Sequence, residues 1–182
     1  DGGSLGVFAS MVTHLDKCIG RVLEAIERRG NARNTLVVFT SDNGGERFSY
    51  MWPFVGEKGD LYEGGLRVPA IVRWPAEIAQ GAESHQVCAS MDWLPTLLAA
   101  AGAPQDTHMA TDGVDILPNL RDAAATGNDR SLFWRTREHA AVRQGDWKYL
   151  RDGSMEFLFN LAQDAREQAN LKLREPQRFE AL

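Results

Sequence analysis

Between Val7 and Ile26 the apolar residues Val7, Phe8, Met11, Val12, Leu15, Ile19, Val22, Leu23 and Ile26 recur at steps of three and four. That is the repeat of an α-helix with one apolar stripe, and it predicts a helix that buries this stripe. Gly30 ends it, because glycine takes the left-handed backbone of a helix terminus without a Cβ clash. Thr35 to Thr40 is then a continuous apolar run between polar residues, the pattern of a strand covered on both faces. Val68–Trp74 (V-P-A-I-V-R-W) reads as a second strand, with Pro69 near its start, where the missing N–H is tolerated. Between the two strands, residues 44–66 are glycine-rich and irregular, and so long a loop in a compact domain is usually functional.

Further on, Asp92 is placed to cap a helix with Pro95 in its first turn and Thr96–Ala101 as its body, stopped by Gly102. Residues 103–113 read as a link, and Val114–Leu120 as a short helix. From residue 132 the texture changes. L-F-W-R, A-A-V-R, W-K-Y-L and F-L-F-N are short alternating pieces separated by the turn signals Q-G-D and D-G-S, which predicts a small antiparallel sheet. The closing P-Q-R-F-E-A-L suits a terminal helix. Helix followed by covered strand indicates α/β layering, so the expected organisation is an α/β portion over 1–125 and a small antiparallel β subdomain with a terminal helix over 126–182.

Composition narrows the class without changing this picture. The 182 residues are 43% hydrophobic and 25% charged, as in a globular protein, and no apolar run nears the roughly 20 residues of a membrane-spanning helix. A net charge of −5 with no basic tract argues against nucleic acid as a partner. Cys18 and Cys88 form neither a Cys-x-x-Cys nor a Cys/His metal pattern and read as small packed residues. The start D-G-G-S-L-G has no basic n-region or apolar h-region, so nothing in the chain indicates its compartment.

The chemistry concentrates at T-S-D-N-G-G, residues 40–45, where the first strand runs out. Ligands of α/β sheets gather beyond the carboxyl ends of strands. The Asp42 carboxylate and the Asn43 amide oxygen are hard donors suited to Ca²⁺ or Mg²⁺, although D-N-G-G is also a common turn. Lys58, between glycines in G-E-K-G, is a compact cation that can face an anion or simply be solvated. Trp52, Phe54 and Phe48 either wall a substrate mouth or pack the loop down. Among the histidines, His14 flanks the helix stripe, His85 and His108 lie in polar links, and His139 precedes a strand.

The succession N-T-L-V-V-F-T-S-D-N-G, G-E-K-G-D-L-Y-E-G-G-L-R-V-P-A-I-V-R-W-P, M-D-W-L-P-T-L-L-A-A-A-G, D-G-V-D-I-L-P and W-K-Y-L…F-L-F-N-L-A-Q-D-A-R-E-Q-A-N-L resembles the C-terminal half of a type I sulfatase. The resemblance implies an alkaline-phosphatase-like α/β domain followed by a small antiparallel sheet with a helix, and hydrolysis of the sulfate ester of a small molecule or sugar. It implies that Asp42 and Asn43 are metal ligands for Ca²⁺, with Mg²⁺ as the alternative. Lys58 is by the same resemblance the sulfate-binding and catalytic lysine, while Glu63, Gly64, Gly65 and Arg67 are loop scaffolding, Arg67 paired with a local carboxylate. The family's nucleophile is a formylglycine made within a Cys/Ser-x-Pro-x-Arg motif. No such string is present, since Cys18 is followed by I-G-R-V and Cys88 by A-S-M-D. The formylglycine is therefore expected in a preceding segment, and the chain alone is expected to be inactive. Two other readings stand beside this one: a phosphoesterase or phosphonate hydrolase of the same superfamily, and a non-catalytic module that binds a partner or self-associates through exposed sheet edges.

Overall fold

The computed structural model describes residues 3–104, 111–122, 124, 125, 127 and 130–182, so His108 lies outside the described residues. The chain packs as two compact units: Asp1–Ala9 with Thr40–Ala70 and Asp129–Leu182, and Ser10–Phe39 with Ile71–Asn128.

The second unit holds most of helix α1 (Leu5–Arg28), which begins and ends within two residues of the apolar periodicity and is followed by Gly30 at φ 73°. The expected burial of its stripe is not found. No residue of α1 is buried, and Leu15 and Val22 stay 53% and 59% exposed. Strand β1 (Val37–Thr40) pairs with β2 (Ala70–Arg73) in a two-stranded sheet, after the short helix α2 (Glu63–Leu66) has interrupted the irregular loop. β1 is half-buried at Val37 and Val38 and exposed at Phe39 and Thr40. The anticipated cover on both faces is thus absent among the described residues.

Helix α3 (Trp93–Ala100) follows a 3-10 turn at Ser90–Asp92. Asp92 does not cap α3 through its side chain. Its buried carboxylate instead accepts the Ala89 N–H at 2.7 Å and the Val114 N–H at 3.0 Å. The buried Thr96 hydroxyl accepts the Ile116 N–H at 3.0 Å, so side chains of the M-D-W-L-P-T segment hold the backbone of D-G-V-D-I, ahead of α4 (Leu117–Arg121).

The first unit is built on a four-stranded antiparallel meander: β3 (Ser131–Arg135), β4 (His139–Gln144), β5 (Trp147–Asp152) and β6 (Met155–Asn160), in that order across the sheet. Gly145 (φ 56°) and Gly153 (φ 59°) turn the β4–β5 and β5–β6 hairpins, as left-handed positions must. Alternation sends Ala141, Lys148, Leu150 and Phe159 inward. Leu150 stands opposite Ala141 on one side and Phe157 on the other, and Lys148 opposite Arg143 and Phe159. Leu61 and Leu161 complete the core on this face, with Tyr62 and Leu66 packed against it. On the outer face, helix α5 (Pro176–Ala181) sets the Phe179 ring 5.6 Å from Tyr149. Fully burying a leucine contributes roughly 1.5–3 kcal/mol, and Leu150 on this inner face is 1% exposed. The inner face of this sheet is therefore the floor on which the 61–66 segment rests.

Candidate active site

The site lies in the first unit, where three stretches of the glycine-rich loop are tied backbone to backbone. Gly44 N–H donates to Gly65 O at 2.9 Å, Lys58 N–H to Gly45 O at 2.8 Å, and Gly64 N–H to Val55 O at 2.6 Å. These approaches explain the glycines at 44 and 64. A Cβ on Gly44 would collide with the Gly64 carbonyl, and one on Gly64 with the carbonyls of Val55 and Gly56. Those neighbours are backbone and cannot swing aside, so only glycine fits.

Asp42 is exposed and Asn43 half-buried in the turn that leaves β1, and Ser41 Oγ donates to the Asn43 carbonyl at 2.9 Å. The two side chains offer hard oxygens, the chemistry that Ca²⁺ or Mg²⁺ prefers. As a donor set they fit such a cation as two of the about six to eight oxygens that Ca²⁺ takes. Among the described residues no group of three or more His, Cys, Asp or Glu side chains gathers to hold a metal. The ammonium of Lys58 lies 3.3 Å from Glu46 Oε2, both side chains more than half exposed. An exposed pair of this kind is worth little, so an incoming anion can displace Glu46 at small cost.

Behind the loop sits a buried charge cluster that inspection of residue types overlooked. Lys148 Nζ, wholly buried, lies 2.9 Å from Glu63 Oε1 and 2.8 Å from Glu167 Oε1. Glu167 Oε2 also accepts the Glu63 N–H at 2.6 Å, and Arg143 Nη1 stands 3.8 Å from Glu63 Oε2. Burial pushes the Glu167 carboxyl above the usual carboxylate range, with Lys148 and the Glu63 N–H pulling it back. Next to it Tyr62 Oη donates to Asp152 Oδ2 at 3.4 Å, and His139 Nε2 lies 3.1 Å from Asp152 Oδ1. Burial first, then the Asp152 charge, raises the Tyr62 phenol to about 12. His139 is thus engaged with the sheet's own carboxylate.

Arg67 does not take the expected carboxylate; its guanidinium stacks 4.8 Å from the Phe54 ring centroid. Arg166 lies 4.3 Å over Trp52 and Arg47 4.7 Å over Phe48, whose ring also meets Phe8 at 6.5 Å. All three loop aromatics are engaged in packing within their own unit. Neither Cys18 nor Cys88 is in a disulfide. No helix among the described residues is long and apolar enough to cross a membrane.

The order of elements matches known proteins along the whole chain. The family model described as Sulfatase matches residues 3–103, and the one described as N-sulphoglucosamine sulphohydrolase, C-terminal, matches residues 55–179. Steryl-sulfatase of Mus musculus is 39% identical over 70% of this chain and 22% of its own length. Arylsulfatase A of Homo sapiens is 37% identical over 79% of this chain and 30% of its own. The crystal structure of Ps i-CgsB superposes with a TM-score of 0.92 at 28% identity, over all of this chain and 42% of that one; the same protein has been solved in complex with k-i-k-neocarrahexaose.

These matches define the class as sulfatase-family proteins of alkaline-phosphatase-like fold, here with a small antiparallel sheet and helix. The chain belongs to the sulfatase family. It spans less than a third of the length of the curated relatives named above.

Proposed function

We propose that the full-length protein containing this chain hydrolyses sulfate esters, with Asp42 and Asn43 as ligands of a divalent cation and Lys58 as the group that engages the sulfate. The observation that carries this reading is the Lys58 N–H···O=C Gly45 bond of 2.8 Å, which fastens the lysine loop to the turn bearing Asp42 and Asn43. A carboxylate, an amide oxygen and a displaceable ammonium are then held by one backbone network. When bound, the cation, Ca²⁺ or alternatively Mg²⁺, supplies Lewis-acid polarisation of the ester. Asp42 and Asn43 fix its place. Lys58 leaves Glu46 and donates N–H to an oxygen on which negative charge grows, the kind of contact that stabilises a transition state. The solved complex of Ps i-CgsB with k-i-k-neocarrahexaose supports a sugar-borne ester as the substrate class. Formylglycine is the nucleophile that family membership supports, encoded outside these 182 residues.

The test uses the full-length protein. Lys58→Ala is expected to lower kcat on a sulfate ester by about 10²–10³-fold with Ca²⁺ binding retained, whereas Asp42→Ala is expected to abolish calorimetric Ca²⁺ binding. Full turnover in either variant would sink the assignment. Preference for a phosphate monoester over the matching sulfate would transfer the chain to the phosphoesterase reading.

A further inference from the structure

We infer that Lys148, on the C-terminal sheet, is a positioning residue for the metal and sulfate loops, acting through Glu63. This inference rests on the assignment of Asp42, Asn43 and Lys58 above. The path is short and continuous. Lys148 Nζ holds the Glu63 carboxylate at 2.9 Å; Glu63 opens α2, whose Gly65 carbonyl receives the Gly44 N–H at 2.9 Å; Gly44 directly follows Asn43, and Gly45 receives the Lys58 N–H. Moving the Glu63 end of α2 therefore shifts the acceptor that registers the Asp42–Asn43 turn, and with it the anchor of Lys58.

Three further observations separate this cluster from an incidental ion pair. It is dry, with the side chains of Lys148 and Glu167 fully buried, and removing one partner from such a cluster leaves an uncompensated charge. Glu167 occupies a left-handed backbone, φ 53°, which a non-glycine residue adopts only where its surroundings hold it there. Its reward is specific: one oxygen meets Lys148 while the other takes the Glu63 N–H. Finally, the adjacent residue is held in the same way, Tyr62 Oη to Asp152 on β5. Strand β5 thus grips Tyr62 and Glu63 by side chains at two inward positions of like parity, Lys148 and Asp152, on either side of Leu150.

Outer groups that orient metal ligands typically cost 10–100-fold in metal affinity or activity when removed. In the full-length protein, Lys148→Met is expected to weaken Ca²⁺ binding about 10–100-fold and to lower kcat at saturating Ca²⁺ by at least about tenfold. In the metal-free protein it should speed hydrogen exchange at the Gly44 and Lys58 amides by about tenfold or more, while the Ala101 amide, which caps the C-terminus of α3, is unchanged. Should Lys148→Met not fold, Glu63→Gln retains the shape and an acceptor oxygen for Lys148 and should give the same pattern at reduced size, with Glu63→Ala larger. The Asp42→Ala control separates the two readings. If it abolishes Ca²⁺ binding while the folded Lys148 or Glu63 variants keep Ca²⁺ affinity, kcat and Gly44 exchange within twofold, the positioning role is overturned and the site stands. If Asp42→Ala itself leaves Ca²⁺ binding intact, the site reading falls and the inference falls with it. Uniformly faster exchange, Ala101 included, would show general destabilisation and would also overturn the role.

Discussion

Helix α1 and the C-terminal sheet carry apolar patterns of similar clarity, yet only one of them finds its cover. Leu150 of the sheet is 1% exposed, beneath the 61–66 segment, whereas Leu15 of α1 is 53% exposed. Periodicity reports which face a segment would bury; it does not report what buries it. The sheet is a meander whose strands meet their neighbours through turns of two or three residues, so its partners lie close in sequence. The stripe of α1 meets no equivalent partner among the described residues. The contrast also explains why the charged cluster belongs to the sheet: a dry environment exists there, and a buried ion pair needs one.

The strongest way to break this comparison is to truncate one leucine in each region of the full-length protein. Leu150→Ala is expected to cost about 2–5 kcal/mol, by lost transfer energy and the cavity left behind. Leu15→Ala, if its stripe stays in solvent, should change stability by no more than about 0.5 kcal/mol. Urea unfolding measures both. A cost at Leu15 comparable to that at Leu150 would show that the stripe is covered in the full-length protein, by another segment or a second copy.

The same contrast governs what could be read in advance. The ends of α1, the sheet's four strands and α3 followed from apolar spacing and from Gly30, Gly102, Gly145 and Gly153, because these signals are local. Asp42, Asn43 and Lys58 were singled out by hard-oxygen chemistry and flanking glycines, and by the resemblance. Their backbone link was not legible, since the Lys58–Gly45 and Gly44–Gly65 hydrogen bonds involve groups that every residue carries. Lys148 did leave a trace: it shares strand parity with Leu150 in W-K-Y-L, an inward place for a lysine, which asks for a buried acid. Glu167 left none. Its partner Glu63 lies 104 positions away in sequence, a distance at which pattern carries no information. Asp92 misled because its backbone is already helical, φ −76° and ψ −18°, and its carboxylate takes the N–H groups of Ala89 and Val114 instead of capping α3.

A middle-sized effect sharpens the comparison at the seam between loop and sheet. Tyr62 has its phenol raised to about 12 by burial and by Asp152. Because the folded state holds this proton more tightly than the unfolded one, the contribution is fully present below pH 10, the ordinary tyrosine value, and is lost as pH rises toward 12. Ultraviolet titration at 295 nm should show one phenol ionising near 12, and Asp152→Asn should bring it down part of the way, leaving the larger burial effect. A Tyr62 that titrates with exposed tyrosines would mean that the loop does not rest on the sheet.

The smallest effect is expected at the rim of the same sheet, where solvent returns. Lys172 Nζ lies 2.5 Å from Glu156 Oε2, and the Tyr149 hydroxyl donates to Glu156 Oε1 at 3.0 Å. Lys172 first and Tyr149 second hold the Glu156 carboxyl below the usual range. Its contribution to stability is therefore present above the ordinary carboxylate pKa and disappears as pH falls through the depressed value. Lys172→Met should move the Glu156 carboxyl titration, followed by NMR, back toward the ordinary range, while the unfolding midpoint at neutral pH barely shifts, as is usual for exposed pairs. Lys148 and Lys172 both pair with glutamates, at similar distances, within the same compact unit. If removing the rim lysine cost as much stability as removing the buried one, burial would not be what distinguishes them, and the argument that a dry cluster positions the loops would lose its physical basis.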